Sequence, residues 1–201
     1  MTETSHEAPR RTRDPQRSEK ILAAAAQLMG SRGYRAVSMS EIGREAGITG
    51  SGIYRHFESK PAILVALQEG IIDNLLADQR RILQSQDSPE VMLRRLIDGQ
   101  VSFVVDDEAL ARLYYAEQES FPAVDLSRIR RKQRLYLEEW VHLVLERDES
   151  QQLSDAEART LVHATIGVIH SPLFHHVGLD KEVLRNHLVE AAKRVLCLDA
   201  E

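Results

Sequence analysis

Apolar residues recur at every third or fourth position along most of this chain, which is the spacing of one face of an α-helix. The first such stretch predicts a helix from Pro15 to about Arg32. Asp14 is a typical N-cap before a proline at the first helical position, and Gly33 predicts a left-handed cap at the other end. The apolar face of this helix carries Ile21, Leu22, Ala25, Leu28 and Met29.

Two short helices joined by a tight turn are predicted next. Ser38 and Glu41 have the spacing of a capping box, which opens a helix through Ile42 to Ala46. Gly47 ends this helix, because glycine tolerates a positive φ. The second short helix begins at Thr49 or Ser51 and carries Ile53, Tyr54 and Phe57. Such a pair forms a helix-turn-helix, whose second helix can enter the major groove of DNA.

Helical patterns continue to the end of the sequence, without the sustained period-two alternation of strands. The predicted helices run from the Ser59 cap, with Pro61 in the first turn, past Leu76; from Ser88-Pro89 to Asp106; from Ala109 to Glu119; from the Asp125 cap to Glu149; from the Ser154–Glu157 capping box to His170; and from Lys181 to Leu198. The predicted fold class is all-α with about nine helices. A disordered basic arm over 1–13, a three-helix helix-turn-helix domain over 14–60 and a larger helical regulatory domain over 61–201 are expected.

Charge is unevenly distributed along the 201 residues, whose formal net charge is -5. Residues 1–60 hold 10 Lys/Arg and 7 Asp/Glu, a net charge of +3, whereas residues 61–201 hold 16 and 24, a net charge of -8. A basic head on an acidic body fits a DNA-binding domain joined to a regulatory domain, although chance asymmetry would look the same. Cys197 is the single cysteine, so a reduced, cytoplasmic setting without a membrane span is expected.

The polar side chains of the helix-turn-helix are of the kinds that contact DNA. Ser40, Thr49, Ser51, Tyr54 and His56 are uncharged hydrogen-bonding residues suited to phosphates and base edges. Arg55 can bind guanine or phosphate. Lys60 stands at a helix start, where a cation gains nothing from the helix dipole, so a nearby phosphate would explain it. Phe57 is read as a core residue.

Residues 15–65 closely resemble the N-terminal domain of TetR-family transcriptional regulators. The matching motifs are Gly33-Tyr34, Ile42-Gly43-x-x-Ala46-Gly47-Ile48, and Gly52-Ile53-Tyr54-x-His56-Phe57 followed by Lys60. The resemblance implies that Ser40, Tyr54, His56 and Lys60 contact phosphates and that Gly50, Ser51 and Arg55 lie near bases. The family commonly has a larger residue at the position of Gly50, so base readout here is expected to depend on fewer side chains. Repression of palindromic operator DNA by a dimer is the function implied.

The last two predicted helices carry strong apolar faces. These faces comprise Leu161, Val162, Thr165, Ile166, Val168 and Ile169, and then Val183, Leu184, Leu188, Val189, Ala192, Val195 and Leu196. One interpretation is that these apolar faces pack inside the hydrophobic core of a monomer. The resemblance instead implies a four-helix homodimer interface, and two-fold DNA recognition also requires a dimer.

A ligand cavity is expected among the middle helices. The candidate lining residues are Phe103, Leu113, Tyr114, Glu117, Phe121, Tyr136, Trp140, Ile166, His170 and Phe174. Ordinary packing is the alternative for each of them singly. As a group they are mostly apolar with a few polar atoms, which indicates a hydrophobic small-molecule effector.

The basic run from Arg128 to Arg134 stands out in the acidic part of the chain. Most such runs are solvated faces or partners of nearby acids. The sharper hypothesis is an anion site that includes Arg131 at the cavity mouth, suited to the phosphates of an acyl-CoA thioester.

Other functions have weaker support in the sequence. The late histidines, His163, His170, His175 and His176, lack a complete metal-binding spacing and are read as packing or interface residues, so no metal or cofactor is expected. There is no glycine-rich phosphate loop after a strand, no G-x-S-x-G and no H-E-x-x-H motif, so an enzyme is not expected. A helical sensor or scaffold without specific DNA binding is the remaining alternative.

Overall fold

The computed structural model of the protein describes residues 15–48, 50–116, 121–148, 152–175 and 178–198. Within these ranges the chain forms α-helices and short 3-10 segments and no strand, which confirms the all-α class. The α-helices are α1 (Pro15–Arg32), α2 (Met39–Glu45), α3 (Lys60–Leu83), α4 (Pro89–Asp106), α5 (Glu108–Ala116), α6 (Ala123–Arg147), α7 (Asp155–His170) and α8 (Lys181–Val195). The predicted basic arm, the Asp14 cap, Thr49 and Glu117 lie outside the described residues.

The chain divides into two compact units between Ile63 and Leu64. In the first unit, α1 and α2 pack together, and α2 also packs against a 3-10 segment, Gly50–Arg55. Ile21, Ile42 and Ile53 are fully buried at the centre of this unit. Burial of three such side chains fixes the angle between the short elements, because each buried isoleucine contributes roughly 2 kcal/mol.

The predicted ends of α1 and α2 are confirmed. Gly33 and Gly47 have φ angles of 83° and 67°, in the left-handed region. The Ser38–Glu41 capping box is complete, with Ser38 Oγ accepting from the Glu41 N–H and the Glu41 carboxylate accepting from the Ser38 N–H. This carboxylate therefore has a lowered pKa, chiefly through its hydrogen bonds with the Ser38 hydroxyl and backbone.

The second short helix of the helix-turn-helix is a 3-10 segment. Gly50 and Gly52 both lie in it, and two glycines within six residues disfavour a regular α-helix by about 1 kcal/mol each. Its register against α2 is nevertheless tight. A Cβ at Gly43 would stand 3.3 Å from the Ile48 carbonyl oxygen and 3.7 Å from the Ile53 Cβ.

The second unit is a helical body around one hydrophobic core. Here α4 packs against α6 and α8, and α7 packs against the same two helices. Trp140, Leu93 and Ile97 are fully buried at its centre. The capping box predicted at Ser154 and Glu157 is confirmed at the start of α7.

Two predicted boundaries in this unit were wrong. Asp125 does not cap α6, because the helix begins at Ala123 after Pro122, and the Asp125 carboxylate accepts a hydrogen bond from Arg128 instead. Helix α8 ends at Val195 rather than Leu198. Cys197 adopts a φ of 51°, its N–H donates to the Arg194 carbonyl at 3.1 Å, and the Leu198 N–H donates to the Lys193 carbonyl at 3.0 Å. These two bonds are those of a Schellman cap.

Candidate DNA-binding surface and effector cavity

The turn between α2 and the 3-10 segment is held by backbone hydrogen bonds. The Ile48 N–H donates to the Gly43 carbonyl at 2.7 Å, and the Ala46 N–H donates to the Ile42 carbonyl at 2.9 Å. The His56 and Phe57 N–H groups both donate to the Ile53 carbonyl at 3.0 Å. The buried Ile42 and Ile53 thus fix the direction in which the segment presents its outer face.

Several predicted DNA-binding side chains share that outer face. Tyr54 has 58% of its surface exposed, an unusual fraction for a large aromatic residue. Ser40, Ser51 and Arg55 are also exposed. His56 is half-buried, and its Nδ1 lies 3.2 Å from the Ser18 hydroxyl of α1, which fixes its ring.

Beside this segment lies a basic cleft of about 400 Å³. The side chains of Arg17, Lys20, Arg55 and His56 line it, together with Ser51 and the turn from Ala46 to Ile48. No carboxylate is among its described lining residues. Sequence reasoning missed Arg17 and Lys20, although their spacing of three places them on one face of α1, which was a readable signal. Several cations in one concave surface suit a phosphate backbone.

The Lys60 ammonium is surrounded by main-chain carbonyls, whereas its position at a helix start had suggested a nearby phosphate. Its Nζ donates to the carbonyls of Tyr34 at 2.9 Å and Val37 at 2.8 Å, with Arg35 at 3.5 Å, and lies 4.4 Å from the centre of the Tyr34 ring. Three main-chain carbonyls therefore explain a cation at the start of α3. The phosphate contact remains a prediction, and in this conformation the ammonium holds the loop between α1 and α2.

In the second unit, helices α3 to α7 line an open cavity of about 170 Å³. Its lining residues are Ile72, Leu75, Gln100, Tyr114, Tyr115, Gln133, Tyr136, Leu137, Ile166 and His170. Four of them, Tyr114, Tyr136, Ile166 and His170, are predicted ligand-binding residues that the structure brings together.

The remaining candidate ligand residues lie elsewhere. Leu113, Phe121 and Trp140 are buried but do not line the cavity. Phe103 lines a separate cleft between α3 and α4, Arg131 is exposed on α6, and Phe174 is 67% exposed. Phe174 sits just after the 3-10 segment Ser171–Leu173 that follows α7, and this extra turn directs it to solvent.

Sequence reasoning missed the glutamines of this region. On α3, Gln68, Ile72, Leu75 and Gln79 follow one another at spacings of four, three and four, so they share one face. A glutamine at each end of an apolar helical face was a usable signal. Gln100 of α4 and Gln133 of α6 contribute further amide groups to the cavity.

The polar groups of the cavity are uncharged at neutral pH. Burial lowers the pKa of His170 to about 4, so its imidazole is neutral. Burial raises the pKa of Tyr114 to about 12, although a hydrogen bond with Gln133 opposes the shift. Burial likewise raises the pKa of Tyr115 and of Tyr136.

The basic run of α6 is divided between two environments. Arg128 pairs with Glu69 and Asp125, and Lys132 pairs with Asp73 at 2.7 Å. Arg130, Arg131 and Arg134 are exposed and form no ion pair with a described residue. Two of the five cations of the run thus fix α6 to α3, as expected for partners of nearby acids, and the other three are exposed to solvent.

The model of the bacterial regulatory proteins of the tetR family matches residues 21–67, the segment that contains the helix-turn-helix. In this segment the chain is similar to the tetR family. The HTH-type transcriptional activator FasR of Mycolicibacterium smegmatis is 31% identical over 103 residues, which are 51% of this chain and 47% of FasR. The HTH-type transcriptional repressor KstR2 of Rhodococcus jostii is 28% identical over 115 residues, 57% of this chain and 53% of KstR2. The chain therefore spans about half the length of the curated relatives it matches.

Solved TetR-family structures show the same fold over most of the chain. A tetR-family regulatory protein from Rhodococcus RHA1 superposes with a TM-score of 0.79 at 17% identity, covering 93% of this chain and 100% of that one. FadR of Bacillus subtilis, solved in complex with stearoyl-CoA, gives a TM-score of 0.71 at 21% identity, covering 87% of this chain and 96% of FadR. No helix within the described ranges has the length and apolar character needed to cross a membrane.

Helices α7 and α8 use most of their apolar residues inside the second unit. Val162, Thr165 and Ile169 of α7 are buried, as are Leu188 and Ala192 of α8. Their outer faces carry smaller and polar residues, namely His163, Ala164 and Gly167, and then Val183, Asn186, His187 and Glu190. An interface on these helices would therefore use the outer faces, and not the strongest apolar faces on which the sequence prediction was based.

Proposed function

We propose that this protein is a ligand-responsive transcriptional repressor of the cytoplasm that binds palindromic operator DNA as a homodimer and is released by a small hydrophobic effector. The observation that carries the proposal is the exposed face of the 3-10 segment beside the basic cleft lined by Arg17, Lys20, Arg55 and His56. A large exposed tyrosine next to four cationic or titratable side chains suits a nucleic-acid backbone better than a helical scaffold.

Each side chain of this surface has a role in the proposal. Arg17 and Lys20 bind the phosphate backbone as charges, with Ser40 and Tyr54 donating hydroxyl hydrogen bonds to phosphates. Arg55 reaches a base edge or an adjacent phosphate, since its guanidinium can bind either in a bidentate way. Ser51 and the bare backbone of Gly50 lie against the groove, so sequence discrimination depends mainly on Arg55.

A homodimer follows from the need to read two half-sites. Half-sites one helical turn apart, about 34 Å, require two copies of the helix-turn-helix in fixed relation. We assign the interface to the outer faces of α7 and α8, whose small residues Ala164 and Gly167 permit close helix approach. Size-exclusion chromatography with light scattering tests this, since Gly167→Glu should convert the dimer to monomer while the matched change on another helix, Gly70→Glu, should not.

DNA binding is tested by fluorescence anisotropy with DNA from upstream of the gene, against scrambled DNA, at about 150 mM salt. We expect preference for the upstream DNA and a loss of at least tenfold in affinity for Tyr54→Ala. Leu135→Ala, at a residue 52% exposed on α6, is the matched control and should change nothing. Equal binding to upstream and scrambled DNA, with Tyr54→Ala matching the wild type, would favour a sensor or scaffold without specific DNA binding.

Salt dependence distinguishes phosphate contacts from base contacts. Lys20→Ala should weaken binding to all sequences alike and reduce the slope of log affinity against log salt by about 1. Arg55→Ala should in addition reduce the preference for upstream over scrambled DNA. A reporter gene under the same DNA then separates repression from activation: deletion of the regulator raises expression in the first case and lowers it in the second.

The exposed Arg130, Arg131 and Arg134 favour an acyl-CoA thioester as a second candidate effector, because several free arginines can bind its phosphates. The stearoyl-CoA complex of FadR is a precedent within the same fold. Isothermal titration with stearoyl-CoA tests this candidate. Arg131→Ala should weaken binding, whereas the acid-paired Arg128→Ala should not; an absence of heat would remove acyl-CoA thioesters as candidates.

A further inference from the structure

Gln100 stands at the polar end of the cavity with half of its amide unused. The residue is 2% exposed. Its Nε2 lies 3.4 Å from His170 Nε2, and in this orientation the amide NH₂ donates to the imidazole nitrogen. The Gln100 Oε1 is buried and has no hydrogen-bond partner among the described residues. A buried carbonyl oxygen without a donor is costly unless a ligand or water satisfies it.

The groups around this oxygen are neutral. The ring centre of Tyr115 lies 4.1 Å from that of His170, with the two planes tilted by 43°. The Tyr115 hydroxyl forms a hydrogen bond with the Gln100 side chain, and the Gln133 amide donates to the Tyr114 hydroxyl at 2.9 Å. None of the lining residues is Lys, Arg, Asp or Glu, and the one histidine is uncharged at neutral pH. A carboxylate or an ammonium ion would enter this cavity without a counter-charge, which makes its transfer from water unfavourable.

The size of the cavity limits its occupant. A cavity of about 150 Å³ in another protein binds benzene, so the 170 Å³ found here corresponds to a single ring with a small substituent. The lining is mostly aliphatic and aromatic, with Ile72, Leu75, Leu137 and Ile166 supplying the apolar walls.

We propose that this cavity binds a neutral, single-ring molecule that carries a hydrogen-bond donor, such as a phenol, with the donor bound by the Gln100 Oε1. The apolar ring lies against Ile72, Leu75 and Ile166, and the hydroxyl replaces the missing partner of the amide. The proposal names the chemical class of the first effector candidate, and only its regulatory consequence rests on the proposed function.

The test is isothermal titration of the full-length protein, without DNA, with four single-ring probes. Phenol offers a donor, acetophenone only an acceptor, toluene neither, and benzoate a charge. We expect phenol to bind about 5–10-fold more tightly than toluene or acetophenone, since one neutral hydrogen bond contributes about 1 kcal/mol, and we expect no heat from benzoate. Because DNA is absent, a failed titration would leave the DNA-binding proposal untouched.

Two variants and one control show whether Gln100 and this cavity are responsible for the binding of phenol. Gln100→Leu should abolish the preference for phenol over toluene, whereas Gln84→Leu, at an exposed glutamine after α3, should keep it. Ile166→Phe should weaken phenol and toluene alike by filling the cavity. Equal affinities of phenol, acetophenone and toluene for the wild type, tighter binding of acetophenone or benzoate, or binding that Ile166→Phe leaves unchanged would each overturn the proposal.

Discussion

The side-chain amide of Gln68 donates to the main-chain carbonyl of Tyr114 at 2.9 Å. Eleven residues further along the same face of α3, Gln79 donates to the carbonyl of Tyr136 at 2.7 Å. Both acceptors belong to residues that line the cavity, and the two α3 residues between the glutamines, Ile72 and Leu75, line it as well. A ligand that displaces either tyrosine therefore acts on α3 through a buried hydrogen bond, as well as through apolar contact.

Gln68→Leu is expected to lower the free energy of unfolding by about 1–3 kcal/mol. The change leaves the carbonyls of Leu113 and Tyr114 without their buried donor. Urea unfolding monitored by circular dichroism measures the effect, and Gln84→Leu serves as the exposed control. If both variants unfold at the same urea concentration as the wild type, the amide is not part of the packing of α3 against α5.

Lys60→Met is expected to destabilise the first unit by about 2 kcal/mol, since it removes a charged donor from three carbonyls and keeps the apolar stem. Lys20→Met, in the exposed part of the basic cleft, should leave stability unchanged and weaken DNA binding. Thermal unfolding and DNA affinity are measured for both. A Lys60→Met protein with wild-type stability and lost DNA affinity would show that Lys60 acts only on phosphate.

His170 predicts a pH dependence of stability between pH 6.5 and about 4. Its pKa is lowered to about 4 by burial in the folded protein, so in this window the unfolded chain binds the proton and the folded chain does not. Stability therefore falls as pH falls from 6.5 to 4, by roughly 3 kcal/mol from this residue alone. Urea unfolding of the wild type and of His170→Gln at several pH values isolates the contribution, because carboxylates affect both proteins equally. A constant difference between them across the window would refute the expectation.

Cys197→Gly is expected to stabilise the protein by about 0.5–1 kcal/mol. Cys197 occupies the left-handed position of the Schellman cap with a φ of 51°, where a Cβ is strained, and its side chain is exposed. Cys197→Ala is the matched control, because it keeps the Cβ and removes the thiol. Thermal unfolding should show a higher Tm for the glycine variant only; equal Tm values would mean that the cap relieves the strain in another way.

The first unit could be predicted from the sequence in detail because its signals are local. The capping box at Ser38, the glycines at 33 and 47 and the spacing of Ile42 and Ile53 each act within a few residues. The 3-10 form of the segment after Gly50 could not be read in this way, since it reflects the balance between two glycines and the packing of Ile53.

The helices of the second unit could be predicted from the sequence, but the residues that line its cavity could be predicted only in part. Tyr114, Tyr136, Ile166 and His170 were identified because aromatic and apolar residues in middle helices suggest a cavity. Which aromatic residue lines it depends on how helices rotate about their axes, so Trp140 faces the core and Phe174 faces solvent. The position of Gln68 on the apolar face of α3 could be read from its spacing, but its acceptor lies 46 residues away and that of Gln100 lies 70 residues away, and no local pattern identifies either acceptor.

The hydrogen bonds from Lys60 to main-chain carbonyls determine which residues of the loop between α1 and α2 can be substituted. The ammonium donates to backbone oxygens, and its side-chain contact is with the Tyr34 ring, so its binding does not depend on the side chains of residues 35 and 36. Arg35 and Ala36 are both exposed and therefore free to vary while the loop keeps its shape. Substitutions at positions 35 and 36 should therefore leave both the loop and the folding of the first unit intact.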